Sequence, residues 1–251
     1  MYVLVEEESR EDVLSAVDLL GFFVEPPLGT SDVVTAIGTS FRPERIPLLL
    51  EGMELQVRNR QDEEIGFYHI GQIEVTDIRE SEAVPGAVDL AFDLGGYASP
   101  YAYARELWQT WVDQGPPTET GMWKRLPPGA HRSWIHVVQQ TWFRSGHQPR
   151  VYGHADTYEI EGADLANIES FYCALGEAVN GPAGYLGSSP AGLDDCLNNT
   201  LATPPIRLRW RNFETSRANI DADELGYVLS ALRRHDVPIE TPTEADEQRH
   251  G

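Results

Sequence analysis

The chain has 251 residues, a formal net charge of −21 and 41% hydrophobic residues. This length favours two domains over one. The acidic excess repels nucleic acid, whose protein partners carry basic patches, so direct DNA or RNA binding is not expected, whereas a basic protein partner is permitted.

The first part of the chain is predicted to be rich in β-strands. Residues 2–5 suit a strand, and Ser9 with Asp12 resembles a capping box that begins a helix ending near Gly21. Short β-like runs divided by Gly, Pro, Asp and Glu follow at 33–37, 55–58, 65–70, 73–78 and 88–92. The polar residues 62–64 predict a hairpin turn, and the whole segment predicts a small antiparallel sheet or a partial barrel.

Two amphipathic helices are predicted to complete this part of the chain. The first begins with the cap signature of Ser99-Pro100, and the second carries apolar residues at helical spacing over 134–142. Five of the six tryptophans lie before residue 150, which is enough aromatic surface for a separate core. We therefore expect residues 1–150 to form a β-rich α+β domain, followed by a short linker at 147–155.

Residues 156–243 are predicted to form a second domain of the α/β class, in which strands alternate with helices. A strand at 158–160 comes first, and a helix follows that is capped by Asp164 and ended by Asn180-Gly181. Apolar residues then alternate with arginines over 206–210, which is the period of a strand with one buried face.

The last helix and the last strand complete this second domain. The helix begins at the capping pair Asp221 and Glu224. The strand at 237–240 contains Pro238, which places it at a sheet edge. The tail from Thr241 is polar and is predicted to be frayed.

A glycine-punctuated loop and a short helix occupy residues 184–197, between the first helix and the middle strand of the second domain. Ser189 has the side chain of a helix N-cap, and Pro190 suits the first helical position. On the helix that follows, Asp195 falls nearly opposite the apolar face and Asp194 falls to its side. We therefore expect Asp195 to face solvent or a partner, although acidic residues also stabilise the first turn of any helix.

This stretch resembles the barstar family, the small intracellular inhibitors of secreted barnase-type ribonucleases. The resemblance extends over about residues 157–240, and the matching residues are Tyr185, Gly187, Leu193, Asp195, Cys196, Leu197, Pro205, Leu208, Trp210, Phe213 and Ser216. It implies a three-stranded parallel sheet packed with helices, and a loop and short helix that lie across a nuclease active site. It also implies that Asp195 replaces an RNA phosphate against cationic side chains of the enzyme.

The resemblance implies a leading function, which is an antitoxin or immunity protein that binds and occludes a basic ribonuclease or nuclease toxin. The candidate partner-binding residues are Asp195, Tyr185, Asp194, Gly187 and Ser189. Tyr185 is expected to be an exposed aromatic anchor or, equally, to pack on Trp210. Ser189 is expected to act mainly as a helix cap.

The chain departs from the family pattern on the short helix, which leaves other functions open. Ser189 stands where the family usually has asparagine, and Ala191 stands where it has a second aspartate. A non-inhibitory adaptor or scaffold that keeps the barstar fold is therefore the alternative hypothesis. An enzyme within residues 1–150 is a third and weaker one, because no G-x-S-x-G motif, phosphate loop or dinucleotide fingerprint supports it.

The sequence carries no signature of a metal, a cofactor or a membrane. His131 and His136 are off the one-face spacing of a helical metal site, and Cys196 falls on the inward side of its helix, where burial raises a thiol pKa. The N-terminal residues have no signal-peptide pattern, and no apolar run approaches the length of a membrane span. We expect a cytoplasmic protein that is not an enzyme and uses no cofactor, with its oligomeric state left open.

Overall fold

A computed structural model describes residues 1–24, 33–41, 49–95, 99–200 and 205–242. The chain divides into two compact units, Met1–Gly115 and Pro116–Gly251. This division falls earlier than the linker predicted at 147–155, and it assigns the helix predicted over 134–142 to the second unit. Most of the tail that was predicted to be frayed lies outside the described residues.

The described residues of the first unit form an antiparallel sheet and one helix. The elements are β1 (Tyr2–Glu6), β2 (Asp12–Ala16), β3 (Asp18–Leu20), β4 (Val33–Phe41), β5 (Leu49–Arg58), β6 (Glu64–Glu80), β7 (Val88–Asp93) and α1 (Ala104–Gln114). The strand order is β2-β1-β5-β6-β7-β4-β3, and a further pairing of β2 with β4 joins six of these strands into a closed ring. The prediction of an antiparallel sheet in this part of the chain is confirmed, although with seven strands the sheet is larger than the small one predicted.

The helix predicted from the capping box at Ser9 is wrong, because the segment forms β2 and β3 instead. Leu14 and Ala16 are buried while the residues beside them are half-exposed, which is the alternation of a strand. Leu14 lies opposite Leu4 of β1 in the sheet. Packing across the sheet therefore outweighs the local helix signal.

The hairpin predicted around residues 62–64 is confirmed by the antiparallel pairing of β5 with β6. The two strands predicted at 65–70 and 73–78 are a single strand, because Gly71 at φ 80° continues the chain through an irregularity in the pairing. Helix α1 begins at Ala104, later than the cap signature at Ser99 predicts, and its buried Trp108 donates a hydrogen bond to the Tyr68 hydroxyl at 2.8 Å.

The described residues of the second unit form a parallel sheet surrounded by helices. The elements are α2 (His131–Arg144), β8 (Tyr158–Glu161), α3 (Ile168–Asn180), α4 (Pro190–Asn198), β9 (Leu208–Arg211), α5 (Phe213–Asn219), α6 (Ala222–Arg234) and β10 (Ile239–Glu240). Strand β9 lies between β8 and β10, and both neighbours run parallel to it. The edge position predicted for the last strand is therefore confirmed.

The helix caps of the second unit follow the predicted chemistry with one exception. Asp221 accepts hydrogen bonds from two backbone N–H groups of the first turn of α6, as predicted. Helix α3 is capped by Asn167 instead of Asp164, because the Asn167 side chain and Ser170 form a reciprocal capping box. Asp164 instead ends a short 3-10 turn and pairs with Lys124.

The core of the second unit is built around Trp210 of β9. Its buried indole ring stacks on Phe171 of α3 at a centroid distance of 5.0 Å and meets Phe213 edge-on. Its Nε1 atom donates to the Ser216 hydroxyl at 2.9 Å, and Ser216 is itself buried. The alternation predicted for residues 206–210 is thus confirmed, with the apolar side inward. In the described part of the chain, no helix has the length and apolar character needed to cross a membrane.

Candidate protein-binding site

The loop that precedes α4 is held by close approaches of its backbone to two helices. A Cβ atom on Gly176 of α3 would lie 2.3 Å from the carbonyl oxygen of Gly184. Gly187 has a φ of 95°, and a Cβ atom there would lie 2.6 Å from the backbone nitrogen of Leu193 in α4. These contacts require glycine, and they place Gly187 in the packed interior instead of on the surface.

The start of α4 has the chemistry that the sequence predicts. The Ser189 hydroxyl oxygen accepts a hydrogen bond from the Gly192 N–H at 3.1 Å, and Pro190 occupies the first turn. Ser189 is thereby the N-cap of the helix. The buried face of α4 consists of Leu193, Cys196 and Leu197, as expected.

Asp195 lies on the exposed side of α4, as its position on the helix predicts. In the part of the chain that the structure describes, no hydrogen bond or ion pair involves its carboxylate. A carboxylate that forms no ion pair or hydrogen bond within the described chain is available to form one with another molecule. Asp195 is therefore the residue of this helix best placed to meet a cation on another molecule.

Asp194 has a different environment, because its carboxylate links α4 to the end of α6. Its Oδ1 atom lies 3.1 Å from His235 Nε2, and its Oδ2 atom accepts a hydrogen bond from Arg234. The charge of Asp194 is therefore compensated within the second unit. Of the two aspartates expected to contact a partner, only Asp195 presents a carboxylate without such a link.

Tyr185 is buried, with 3% of its surface exposed, so the expectation of an exposed aromatic anchor is wrong. Its ring packs on Phe143 of α2 at a centroid distance of 5.4 Å, and its hydroxyl lies 3.4 Å from the Ser188 hydroxyl. Burial raises the pKa of Tyr185 to about 12. The ring that it contacts is that of Phe143 rather than that of Trp210.

Helix α2 contributes to this site, which sequence reasoning missed. The Ser188 hydroxyl donates to Gln139 Oε1 at 3.3 Å, and Phe143 lies against Tyr185. Helix α2 also packs on α3. No local pattern predicts these contacts, because they join segments far apart in sequence, and the linker expected at 147–155 assigned α2 to the other domain.

Burial shifts the pKa values of two titratable side chains in the second unit. Burial raises the pKa of the Cys196 thiol to about 12, as its inward position predicts, and lowers the pKa of His136 to about 4. Among the described residues, no group of three or more His, Cys, Asp or Glu side chains is placed to hold a metal ion.

Glu177 of α3 carries a buried carboxylate, with 6% of the residue's surface exposed. Its Oε2 atom accepts hydrogen bonds from the Gly121 N–H at 2.6 Å and from Trp123 Nε1 at 3.0 Å. Burial raises the pKa of this carboxyl above its ordinary value, although both hydrogen bonds oppose the rise. The hydrogen bonds of Glu177 thus fix residues 121–123 to α3, although removing its charged carboxylate from water is unfavourable.

The raised pKa of Glu177 predicts a specific pH dependence of stability. The folded state binds the proton more tightly than the unfolded state, so the associated stabilisation is present at acid pH and is lost as pH rises through the folded pKa. Glu177→Gln keeps an acceptor oxygen and stays neutral. Relative to the natural chain, this variant should gain stability from pH 4.5 upward, measured by urea unfolding at successive pH values. Asp156→Asn, at an exposed position, is the control, and equal pH slopes for the natural chain and Glu177→Gln would contradict the prediction.

No protein-family model and no curated protein matches the chain. The resemblance to the barstar family therefore stays a prediction drawn from the residues quoted above.

Proposed function

We propose that the second unit is a barstar-like domain that binds a basic ribonuclease or nuclease toxin and occludes its active site. The order of elements supports this proposal, because a glycine loop and a short capped helix precede the middle strand of a three-stranded parallel sheet. The observation that carries the proposal is the exposed carboxylate of Asp195, which has no hydrogen-bond or ion-pair partner among the described residues.

The proposed action is physical occlusion. The Asp195 carboxylate takes the place of a substrate phosphate against Arg, Lys or His side chains of the nuclease. Helix α4 and the loop before it then cover the active site. The net charge of −21 attracts a cationic nuclease and accelerates its association.

This mechanism involves no bond making or breaking by the chain itself. Under the proposal the protein is not an enzyme, needs no cofactor, and acts as an antitoxin or immunity protein in the cytoplasm of the cell that makes the nuclease. The nuclease binds it as a protein partner, and no nucleic acid or membrane takes part.

Two observations favour a second candidate function, a non-inhibitory adaptor with the same fold. Tyr185 is buried, and Asp194 is linked to Arg234 and His235, so two of the expected partner contacts are directed inward. A surface with a single exposed aspartate on α4 can hold a basic protein without entering an active site.

An inhibition assay tests the proposal. The full chain, titrated into a barnase-type ribonuclease, is expected to abolish RNA cleavage at close to one equivalent, with faster association at low salt. Asp195→Asn should raise the inhibition constant about 30-fold, which corresponds to a hot-spot loss of about 2 kcal/mol. Asp223→Asn is the matched control, because it removes the same charge at a distant position. Asp223 lies in the first turn of α6, about 16 Å along that helix from Arg234, the residue that bonds to Asp194 of α4.

The outcomes separate the two candidate functions. Binding without inhibition would favour the adaptor. Failure of the natural chain to bind any ribonuclease of this type would overturn the inhibitor proposal. Equal effects of the Asp195 and Asp223 substitutions would show that net charge, and not the position of Asp195, sets the affinity.

A further inference from the structure

Two large apolar side chains are exposed in the described part of the second unit, Phe143 at 40% and Tyr227 at 63%. Single exposed apolar residues are ordinary on protein surfaces. Phe143 is distinguished by its position, because its ring rests edge-on against Tyr185 in the loop before α4. It therefore borders the same loop that the proposed function places at the partner.

Tyr185 connects Phe143 to α4. The Tyr185 ring packs against the Phe143 ring. A Cβ atom built on Gly192 of α4 would lie 3.3 Å from the Tyr185 hydroxyl oxygen. Asp195 follows Gly192 by one helical turn. A single buried tyrosine thus separates the exposed Phe143 ring from the turn that carries Asp195. With so short a separation, Phe143 and Asp195 can both fit in one interface of about 800 Å² per partner.

The surroundings of the Phe143 side chain are well packed. Its helix, α2, packs on α3, and the hydrogen bond from Ser188 to Gln139 fixes the loop to the same helix one turn earlier. A phenylalanine has few rotatable bonds, and here its ring is already packed on one side. Ordering it at an interface therefore costs little conformational entropy.

We infer that Phe143 and Asp195 belong to one docking surface, which extends from α2 across the loop 184–188 to α4, and that Phe143 is its apolar anchor. The occupant is the basic protein of the proposed function, on which this inference rests. Charge complementarity selects that occupant, because the chain carries a net charge of −21 and the Asp195 carboxylate has no partner among the described residues. The partner surface must then present an apolar contact beside its cationic cleft.

Both residues should slow release of the partner, but only the charged one should also affect association, because a charge steers encounter and an apolar contact acts after docking. Association and dissociation of the full chain are measured by surface plasmon resonance on an immobilised barnase-type ribonuclease. Phe143→Ala is expected to raise the dissociation rate about fivefold or more, with the association rate and its salt dependence unchanged. Asp195→Asn should also raise the dissociation rate, because it leaves the partner's cation unpaired, and in addition it should lower the association rate and weaken its salt dependence.

Matched variants keep the result interpretable. Phe143→Tyr should bind as the natural chain does, since it keeps the ring. Truncation to alanine also removes packing from Tyr185, so Phe143→Lys provides a second test, because its aliphatic stem still covers Tyr185 while its charge repels a basic partner. Tyr227→Ala alters the other exposed aromatic residue and should leave both rates unchanged.

Each outcome decides the inference. Unchanged dissociation of both Phe143→Ala and Phe143→Lys, with Asp195→Asn impaired, would overturn the docking role of Phe143 and leave the proposed function standing. An equal loss in Tyr227→Ala would also overturn it, since the effect would not be specific to the loop. Absence of binding by the natural chain would overturn the proposed function, and this surface with it.

Discussion

Replacing Trp210 by alanine is expected to lower the stability of the second unit by about 3–5 kcal/mol. The indole is fully buried, stacks on Phe171 and meets Phe213, so its removal leaves a large cavity between β9 and its helices. The substitution also removes the donor to the buried Ser216 hydroxyl. Both losses act in the same direction.

Native-state hydrogen exchange, read on peptides that cover β8, β9 and α3, measures this effect within the second unit alone. Trp210→Phe is the control, because it keeps an aromatic ring against Phe171 and loses only the outer ring and the hydrogen bond. It should cost clearly less than Trp210→Ala. A loss below about 1 kcal/mol for Trp210→Ala would place this side chain outside the core, since surface substitutions usually stay within about 0.5 kcal/mol.

Replacing Gly187 by alanine is expected to cost roughly 2–4 kcal/mol, from a side chain forced into left-handed backbone and from overpacking. The φ of 95° is one that residues with a Cβ rarely adopt. The added methyl group would also lie 2.6 Å from the Leu193 nitrogen, so either the loop or α4 must move. Because α4 carries Asp195, the same shift should weaken binding of a partner.

Gly226→Ala is the matched control for Gly187→Ala. Gly226 lies within α6, and apart from its chain neighbours and the local helix backbone no described atom lies within 4 Å of the position of an added Cβ. Alanine should therefore stabilise this helix by about 0.5–1 kcal/mol. Hydrogen exchange of the α4 amides should show reduced protection in Gly187→Ala and no such loss in Gly226→Ala. Unchanged protection of α4 in Gly187→Ala would contradict the close contact between the loop and the helix.

The features that the sequence predicts well are those decided by neighbouring residues. The cap of α4 at Ser189 and the cap of α6 at Asp221 follow from side chains that bond to N–H groups within one turn. The strand alternation around Trp210 and the exposure of Asp195 likewise depend on local periodicity. These predictions are confirmed.

The features that the sequence misses depend on distant segments. Residues 12–20 carry a helix-like pattern, but pairing of β2 with β1 and β4, and of β3 with β4, makes the segment two strands. The burial of Tyr185 depends on Phe143, and the compensation of Asp194 depends on Arg234 and His235. Sequence periodicity alone cannot predict these contacts, because each of them joins segments that only the tertiary fold brings together.

The pairing of β2 with β4 in the first unit has a consequence for self-association. An open sheet offers unpaired backbone groups to which a strand of another molecule can add, and this is a route to aggregation. Here six of the described strands have a neighbour on each side. The strand at the end of the order, β3, is only three residues long and includes the charged Asp18, which pairs with Arg105. The described strands of the first unit therefore leave little exposed strand edge to which a strand of another molecule could add.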